Sequence, residues 1–312
     1  MVGGIKRRPG PVDSHCVSGQ SREMTHMPPI GLEGSPLLEF QPAVDLTNGR
    51  LLGFEALLRW KHPSRGLIPP SVLVPWAEAN NHIIALNAWV LEEACRQATG
   101  WSTAIQLAVN CSLVQLRRHQ ASVAAGEALA RSGLNPDRLT VEITESAVAD
   151  EQANRDLGNL LRRGVHLAVD DVGTSWSTLE NFRRFSIEIA KIDRAFTSAL
   201  ELTDGMNRAI VNAIVHVSHS LGMTTVAEGV ETAEQVATLQ QIGADVAQGY
   251  FFARPMSASE ATKLATQDPP TVFPLAVDDT DDDADDDIDD DADDDIDDDA
   301  EETDEKLVAP HS

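Results

Sequence analysis

HLAVDDVGTSWS, residues His166–Ser177, joins a short apolar run to two adjacent carboxylates. Asp170 and Asp171 end the run, and Gly173 then breaks the regular pattern. An apolar strand that ends in acids beside a glycine-containing loop can supply oxygen ligands to a hard divalent cation. Adjacent aspartates are also common in solvated turns, so this stretch alone leaves both interpretations open.

Strand-like and helix-like patterns alternate on both sides of this stretch. The predicted strands are Leu37–Gln41, Gly53–Trp60, Ile105–Asn110, Leu139–Thr144, Val165–Asp170, Ile187–Ile192, Thr224–Ala227 and Val246–Phe252. The alternation favours an α/β protein with a mostly parallel sheet, and eight strands favour a closed (β/α)8 TIM-like barrel. An open doubly wound sheet is the alternative, but no G-x-G-x-x-G or Walker-type loop supports it.

Helices are predicted between most of these strands, and glycines mark several of their ends. Gly133, Gly222 and Gly243 each follow a helical pattern as a stop signal. The most regular helix is Met206–Leu221. Its predicted apolar positions are Ile210, Ala213, Ile214, Val217 and Leu221.

Composition divides the chain into three parts: a leader at 1–35, a barrel at 36–268 and a tail at 269–312. The leader is rich in Gly, Pro, Ser and Met without an apolar period, which is typical of disorder. Within the tail, Asp278–Glu305 holds 21 of the 50 acidic residues and no basic one, so we expect a disordered polyanion. Such a tail can serve solubility, a basic partner or loose cation binding.

Charge and cysteine usage limit the classes of function. Residues 1–277 carry 29 acidic and 23 basic residues, which argues against a broad surface for duplex nucleic acid. Cys16, Cys95 and Cys111 form no C-x-x-C pair and are odd in number, as expected of a reducing cytoplasm. No apolar run approaches the ~20 residues of a membrane span. The sequence therefore predicts a soluble, cytoplasmic protein.

Seven predicted strands carry a polar side chain inside or just beyond their apolar run. These residues are Glu55, Asn110, Glu142, Asp170 with Asp171, Lys191, Glu228 and Gln248. In a barrel such positions converge on one mouth, where strand-end side chains do chemistry. Because isolated charges on buried strands are unfavourable unless they are paired or metal-bound, we expect these groups to meet.

The types of side chain indicate the metal. Carboxylates and one amide, without Cys or His, favour Mg2+ or Mn2+ over zinc. Asp170 and Asp171 could bridge or separately bind two cations ~4 Å apart, the arrangement used for in-line displacement at phosphorus. Lys191 would then be a counter-charge for the acids, or it would orient or deprotonate an attacking water; both roles stay open.

The segment GFEALLRWKHP, which contains Glu55, resembles the signature of the EAL domain family of bacterial cyclic di-GMP phosphodiesterases. The similarity spans about Leu37–Met256. It continues through QPAVDL (Gln41–Leu46), PWAEA (around Glu78), LAVNCS (around Asn110), VEITES (Val141–Ser146), AVDDVGTS (Ala168–Ser175), KIDRAF (Lys191–Phe196), VAEGVET (Val226–Thr232) and QGYFFARP (Gln248–Pro255).

The resemblance implies hydrolysis of cyclic di-GMP to linear 5′-pGpG with two Mg2+ or Mn2+ ions. It assigns one ion to Glu55, Asn110, Glu142 and Asp170, and the second to Asp170, Asp171 and Glu228. Lys191 corresponds to the family lysine that acts on the nucleophilic water.

The remaining family positions surround the substrate. Glu231 and Gln248 correspond to groups that support the water and the substrate phosphate, Arg59 to an arginine near the phosphates, and Gln41 to the nucleotide-binding wall. Glu78 has a counterpart near the active site, and Glu145 corresponds to the acid that holds the loop after Asp171. Glu145 and Glu231 also fit a simpler role as helix-start acids near a positive dipole end.

The loop after the paired aspartates departs from the family pattern. The family loop usually runs DDFGTGYSS, whereas this chain has DDVGTSWST, and Ser175 replaces a glycine with a residue of narrower backbone freedom. That loop couples metal binding to dimerisation in family members, so the changes concern regulation and turnover. The resemblance implies a homodimer, and the alternatives for control are oligomerisation, the tails or a separate regulatory protein.

Two other functions remain open. A catalytically weak or inactive receptor or scaffold would have lost metal ligands, and none is lost here. A glycosidase would need paired acids ~5–9.5 Å apart, such as Glu142 and Glu228, but it would leave the lysine and the amide unexplained. The enzyme is therefore the preferred hypothesis.

Overall fold

The computed structural model describes residues 33–173, 182, 185–200 and 205–275. Its strands are β1 (Ser35–Asp45), β2 (Leu51–His62), β3 (Gly66–Ile68), β4 (Gln106–Asn110), β5 (Leu139–Thr144), β6 (His166–Val172), β7 (Ile189–Ile192), β8 (Thr224–Ala227), β9 (Val246–Ala247) and β10 (Met256–Ser257). Its helices are α1 (Pro70–Ala79), α2 (Ile83–Ala98), α3 (Leu113–Arg117), α4 (Ala121–Ser132), α5 (Glu145–Val148), α6 (Asn154–Arg162), α7 (Arg194–Thr197), α8 (Met206–Ser220), α9 (Ala233–Ile242) and α10 (Ala258–Ala265).

Eight of the strands close into a barrel in the order β1-β2-β4-β5-β6-β7-β8-β9, and β9 pairs back with β1. The predicted TIM-like barrel is thereby confirmed, and the open doubly wound sheet is excluded. The strands from β2 to β9 around the barrel run parallel, whereas β1 is antiparallel to both of its neighbours. The connection at 46–50 is too short for a crossover between parallel strands, so β1 and β2 form a hairpin.

Helix ends follow the local signals in the sequence. Gly133 and Gly243 adopt left-handed backbone conformations at the ends of α4 and α9, as the glycine stop signals predict. Thr232 and Gln235 form a reciprocal capping box at the start of α9. These signals depend only on neighbouring residues, which is why the sequence reveals them.

Two predictions about local structure are wrong. The buried residues of α8 are Val211, Val215 and Ser218, whereas the predicted face included Ala213, which is exposed. The last barrel strand is only Val246–Ala247, since the chain then turns toward Val230. The amide of Val230 donates to the Gln248 carbonyl at 3.1 Å, and a Cβ on Gly249 would lie 2.0 Å from the Val230 oxygen. This close approach requires a glycine and ends the strand.

The described chain continues past the predicted barrel boundary at residue 268. The Leu51 amide donates to the Thr271 carbonyl at 3.0 Å, and the Phe273 amide donates to the Gly49 carbonyl at 2.7 Å. Residues 271–273 therefore pack on the β1–β2 hairpin. Almost all of the predicted leader, the acidic run and most of the altered loop after Gly173 lie outside the described residues.

No helix within the described ranges combines the length and the apolar character that a bilayer crossing requires. The two cysteines of this part, Cys95 and Cys111, are free thiols.

Candidate active site and metal centre

Lys191 lies at the centre of the acidic residues that the sequence singles out. The side chain is 2% exposed on β7. Its Nζ lies 2.5 Å from Glu228 Oε1 and 2.9 Å from Glu142 Oε2, and it is 3.6 Å from both Glu55 Oε2 and Asp170 Oδ1. Four carboxylates thus surround one ammonium, and the cluster has too little positive charge to neutralise them.

Strand register explains why these residues meet. In the parallel ladder Asn110 is opposite Glu142 on β5, and in the antiparallel hairpin Gln41 is opposite Glu55. Side chains at paired positions face the same side of a sheet, here the inside of the barrel. Gln248 directly follows β9 and reaches the same layer.

Two amide side chains hold Glu55 in place. Asn110 Nδ2 donates to Glu55 Oε1 at 2.6 Å, and Gln248 Nε2 donates to Glu55 Oε2 at 2.7 Å. Gln248 Nε2 also lies 3.1 Å from Gln41 Oε1, and Gln41 Nε2 donates weakly to the Ala253 carbonyl at 3.4 Å. The predicted substrate residues Gln41 and Gln248 therefore belong to the same network as the predicted metal ligands.

Together, burial and the neighbouring charges raise the pKa values of Glu142, Glu228 and Lys191 but lower that of Glu55. Burial, followed by the neighbouring Glu55 carboxylate, holds the pKa of Glu142 well above its usual range. Burial also raises the pKa of Glu228 to about 7, although Lys191 opposes the shift. For Glu55, burial is outweighed by Lys191 and by the two amide donors, so its pKa is lowered. Burial tends to lower the pKa of Lys191, but the surrounding carboxylates raise it well above the usual value, so the lysine is an ammonium.

Asp171 lies beside the cluster rather than on the lysine. Its φ of +57° is left-handed, a conformation that non-glycine residues adopt mostly at functional sites or turns. Burial and a side-chain hydrogen bond with Asp193 raise the pKa of Asp171 to about 6. Asp193 also accepts from the Ala195 amide at 2.6 Å and so begins α7.

The other predicted residues have partners around this centre. Arg59 donates to Glu39 at 2.8 Å, and Glu78 accepts from the Ser112 hydroxyl at 2.6 Å. Glu231 pairs with Arg194 at 2.7 Å and is partly exposed. Glu145 is the first residue of α5 and is only 4% exposed, so it is not a solvated helix-start acid.

A cavity of about 230 Å³ opens above the cluster at the carboxyl ends of the strands. Its walls include the predicted residues Gln41, Glu55, Asp170, Glu228, Glu231 and Gln248. They also include Arg194 and Tyr250, which sequence reasoning missed as site residues. Tyr250 is 45% exposed, and Arg254 Cζ lies 4.5 Å from the centroid of its ring.

The missed residues left weak signals in the sequence. Asp193 and Arg194 follow the end of β7 by one and two positions. Tyr250 is the single tyrosine of the chain and follows Gln248 by two positions. A search that stops at the last strand residue overlooks side chains on the loops that leave the barrel mouth.

The donor chemistry of the cluster fits a hard divalent cation. All candidate ligands offer oxygen, and the buried Glu142 Oε2 forms no aligned hydrogen bond even though Lys191 Nζ is 2.9 Å away. Among the described residues, no three acidic, His or Cys side chains converge on one cation-sized point as they stand. The carboxylates instead point toward Lys191, which supplies the nearest positive charge.

The molecule is a TIM-like barrel with one antiparallel strand. Its mouth is acidic around a buried lysine. Residues 33–255 match the model of the EAL domain, and the chain belongs to that family. This match confirms the resemblance found in the sequence motifs.

The relatives carry the same domain in longer chains. The chain is 40% identical over 242 residues to an uncharacterized signaling protein of Caulobacter vibrioides, covering 76% of this chain and 30% of that protein. It is also 40% identical over 230 residues to the bifunctional diguanylate cyclase/cyclic di-GMP phosphodiesterase MucR of Pseudomonas aeruginosa, covering 72% and 33%. The chain therefore spans about a third of the length of these curated relatives.

Solved structures agree with the fold. The c-di-GMP complex of the PaMucR phosphodiesterase has a TM-score of 0.70 and 38% identity, covering 72% of this chain and 94% of that one. The calcium/cy-diGMP complex of Klebsiella pneumoniae BlrP1 has a TM-score of 0.62 and 30% identity, covering 75% and 58%.

Proposed function

We propose that this barrel is a metal-dependent phosphodiesterase that hydrolyses cyclic di-GMP to linear 5′-pGpG and so lowers the level of this second messenger. The proposal rests on the complete set of mouth residues: four carboxylates surround Lys191, and Asn110 and Gln248 hold one of them, Glu55. The names of MucR and NbdA, two relatives from Pseudomonas aeruginosa, support the substrate.

The proposed cofactor is a pair of Mg2+ or Mn2+ ions. Glu55, Asn110, Glu142 and Asp170 would hold one ion, and Asp170, Asp171 and Glu228 the other. Bound divalent ions would supply a nucleophilic water at neutral pH and offset charge on the phosphate oxygens.

Without bound metal Lys191 is an ammonium, because the four surrounding acids hold its pKa well above the usual value. In the reaction it would orient or deprotonate the attacking water. In the reaction the water oxygen forms a bond to phosphorus and the bond from phosphorus to the 3′ oxygen breaks. The leaving 3′ oxygen takes up a proton that the water supplies.

The nucleotide would lie across the mouth. Gln41 and Gln248 would contact it beside Glu55, Arg59 would lie near the phosphates, and Glu231 would support the attacking water. The exposed ring of Tyr250 offers a face on which a guanine base can stack.

A catalytically weak receptor or scaffold is the second candidate. It is favoured by the replacement of the family glycine by Ser175 in the loop after the paired aspartates. A cytoplasmic location, a homodimer and a separate regulatory protein remain predictions from the sequence.

Incubation of the purified chain with cyclic di-GMP and Mn2+, with and without chelator, tests the proposal. We expect linear 5′-pGpG by mass spectrometry, no product with chelator, and none from Glu55→Ala. Glu127→Ala, which removes an exposed acid paired with Arg131, is the matched control and should stay active. Nucleotide binding without product, under every divalent ion tried, would support the receptor instead.

A further inference from the structure

Beneath the acidic cluster, the inside of the barrel is lined by small side chains. Strand register places four residues in the layer directly below Glu55, Glu142, Lys191 and Gln248. They are Ala43, Ala108, Ala168 and Val226. TIM-type barrels usually fill such layers with bulky branched residues, so three alanines of four leave space in the core.

The layer below this one also leaves space. Gly53 contributes no side chain, and a Cβ there would lie 2.7 Å from the Gln106 oxygen of the neighbouring strand. Thr140, Ile189 and Val246 complete this layer. The close approach of β2 and β4 therefore keeps one quarter of the layer empty.

These layers surround a cavity of about 320 Å³. Its inner end is the underside of Lys191 and Glu142, and its outer end lies at the amino ends of the strands. Gln106, Glu188 and Thr224 are exposed at that outer rim, where His166 Nδ1 lies 2.6 Å from Glu188 Oε2. The cavity thus reaches from the face opposite the mouth to the ion cluster.

Physical chemistry favours water in this space. A closed apolar cavity stays dry, but a water needs only ~10–15 Å³ and two to four polar partners. The rim is exposed to solvent, and at the inner end Glu142 Oε2 and Lys191 Nζ are not aligned for a hydrogen bond with each other. Waters that enter at the rim therefore meet the buried charged groups of Glu142 and Lys191 at the inner end.

We propose that the barrel lumen is a second entrance for solvent, through which water and small neutral solutes reach the underside of the Lys191 cluster from the face opposite the mouth. The purpose of this passage rests on the proposed function. Each hydrolysis consumes one water, and a nucleotide that covers the mouth blocks the direct route. The lumen keeps the cluster in exchange with solvent while substrate is bound.

Cysteine accessibility tests the passage directly. Thr140→Cys places a thiol of similar size on the lumen wall, and Thr197→Cys places one at a fully buried position away from the lumen. Both are made in a Cys16→Ser background and treated with methyl methanethiosulfonate, with peptide mass spectrometry as the readout. We expect Thr140→Cys to react at least tenfold faster than Thr197→Cys.

Two further measurements show at which end of the barrel the solvent enters. Saturating cyclic di-GMP with Ca2+ should leave the rate at Thr140→Cys unchanged, and Thr224→Trp at the lower rim should slow it several-fold. Equal slow rates at both cysteines would mean a closed lumen, and protection of Thr140→Cys by the nucleotide would place the only entrance at the mouth. Either result overturns the proposal.

The test does not depend on catalysis. If the nucleotide does not bind, the proposed function fails, but labelling without nucleotide and its suppression by Thr224→Trp still decide the passage. If thermal melts show that Thr140→Cys is unfolded, Val246→Cys supplies a second position on the same wall.

Discussion

The upper and lower halves of the barrel interior share one backbone but differ in chemistry. On β5, Thr140 and Glu142 are two residues apart, both face the lumen, and both are at most 5% exposed. On β6, Ala168 and Asp170 repeat the contrast. Since buried charge is unfavourable unless it is compensated, stability alone would favour apolar residues in both halves. The upper half therefore concentrates buried charge that stability alone does not favour.

The largest expected effect is on kcat, and it compares one residue of the upper half with one residue of the lower half on strand β5. We expect Glu142→Gln to lower kcat by on the order of 10²-fold or more, because it removes a charged oxygen from the proposed metal site. Thr140→Val, of nearly equal size, should change kcat less than about twofold. Turnover of cyclic di-GMP with Mn2+ measures both. Similar losses of kcat in the two variants would show that the two halves do not differ in function.

The next effect concerns Lys191, the ammonium among the four carboxylates of the upper half. Lys191→Met leaves four buried carboxylates without their ammonium, and removal of one partner from a buried ion pair costs about 3–5 kcal/mol. We expect a lower Tm in chelator and a larger rise in Tm on adding Mn2+ than in the native chain. Thermal melts in both buffers measure this. An unchanged Tm in chelator would show that Lys191 does not neutralise the acids.

A smaller effect should appear as pH dependence in the metal-free protein. The pKa of Glu228 is raised to about 7 from 4.5, so the folded state binds a proton that the unfolded state releases between these values. The free energy of unfolding therefore falls as pH rises from about 4.5 to about 7. Asp150 and Asp245, whose pKa values are lowered, change the free energy of unfolding below this pH range.

Glu228→Gln should reduce that slope, as measured by thermal melts in chelator across pH 5 to 7.5, and Asp171 and Glu142, whose pKa values are also raised, should supply the slope that remains. Glu127→Gln, an exposed change on α4, is the control and should keep the slope of the native chain. If Glu228→Gln has the native slope, the raised pKa does not govern stability in this range.

The smallest effect lies at the edge of the mouth. Base stacking on an aromatic ring contributes about 1–3 kcal/mol, so Tyr250→Ala should raise KM for cyclic di-GMP about tenfold with little change in kcat. Tyr250→Phe keeps the ring and should match the native KM. Steady-state kinetics measure both variants. An unchanged KM in Tyr250→Ala would remove the ring from the binding surface.

The sequence predicts the regular parts of the molecule well. The bounds of Leu139–Thr144 and Thr224–Ala227 coincide with β5 and β8, because apolar runs and turn residues specify them locally. The convergence of Glu55, Glu142 and Lys191 also follows from strand ends alone, since barrel closure brings these positions together.

Other features depend on contacts between distant residues. The helix α8 packs Ile214 and Leu221 of the predicted face against the core, but its fully buried residues include Val211 and Val215, which the helical pattern did not predict. Contacts with neighbouring elements therefore determine how the helix is rotated. Tyr250 reaches the mouth because the loop after β9 turns tightly against Val230, which no local pattern indicates. The pairing of Asp171 on β6 with Asp193 after β7 likewise depends on two separate segments of the chain.

Anomalous scattering from crystals of the native chain grown with Mn2+ tests whether the barrel mouth is a metal centre. We expect peaks at the barrel mouth within coordination distance of Glu55, Asn110, Glu142 and Asp170, with a second ion near Asp171 and Glu228. A mouth without an anomalous peak at saturating Mn2+, with Lys191 still bound to all four carboxylates, would contradict it.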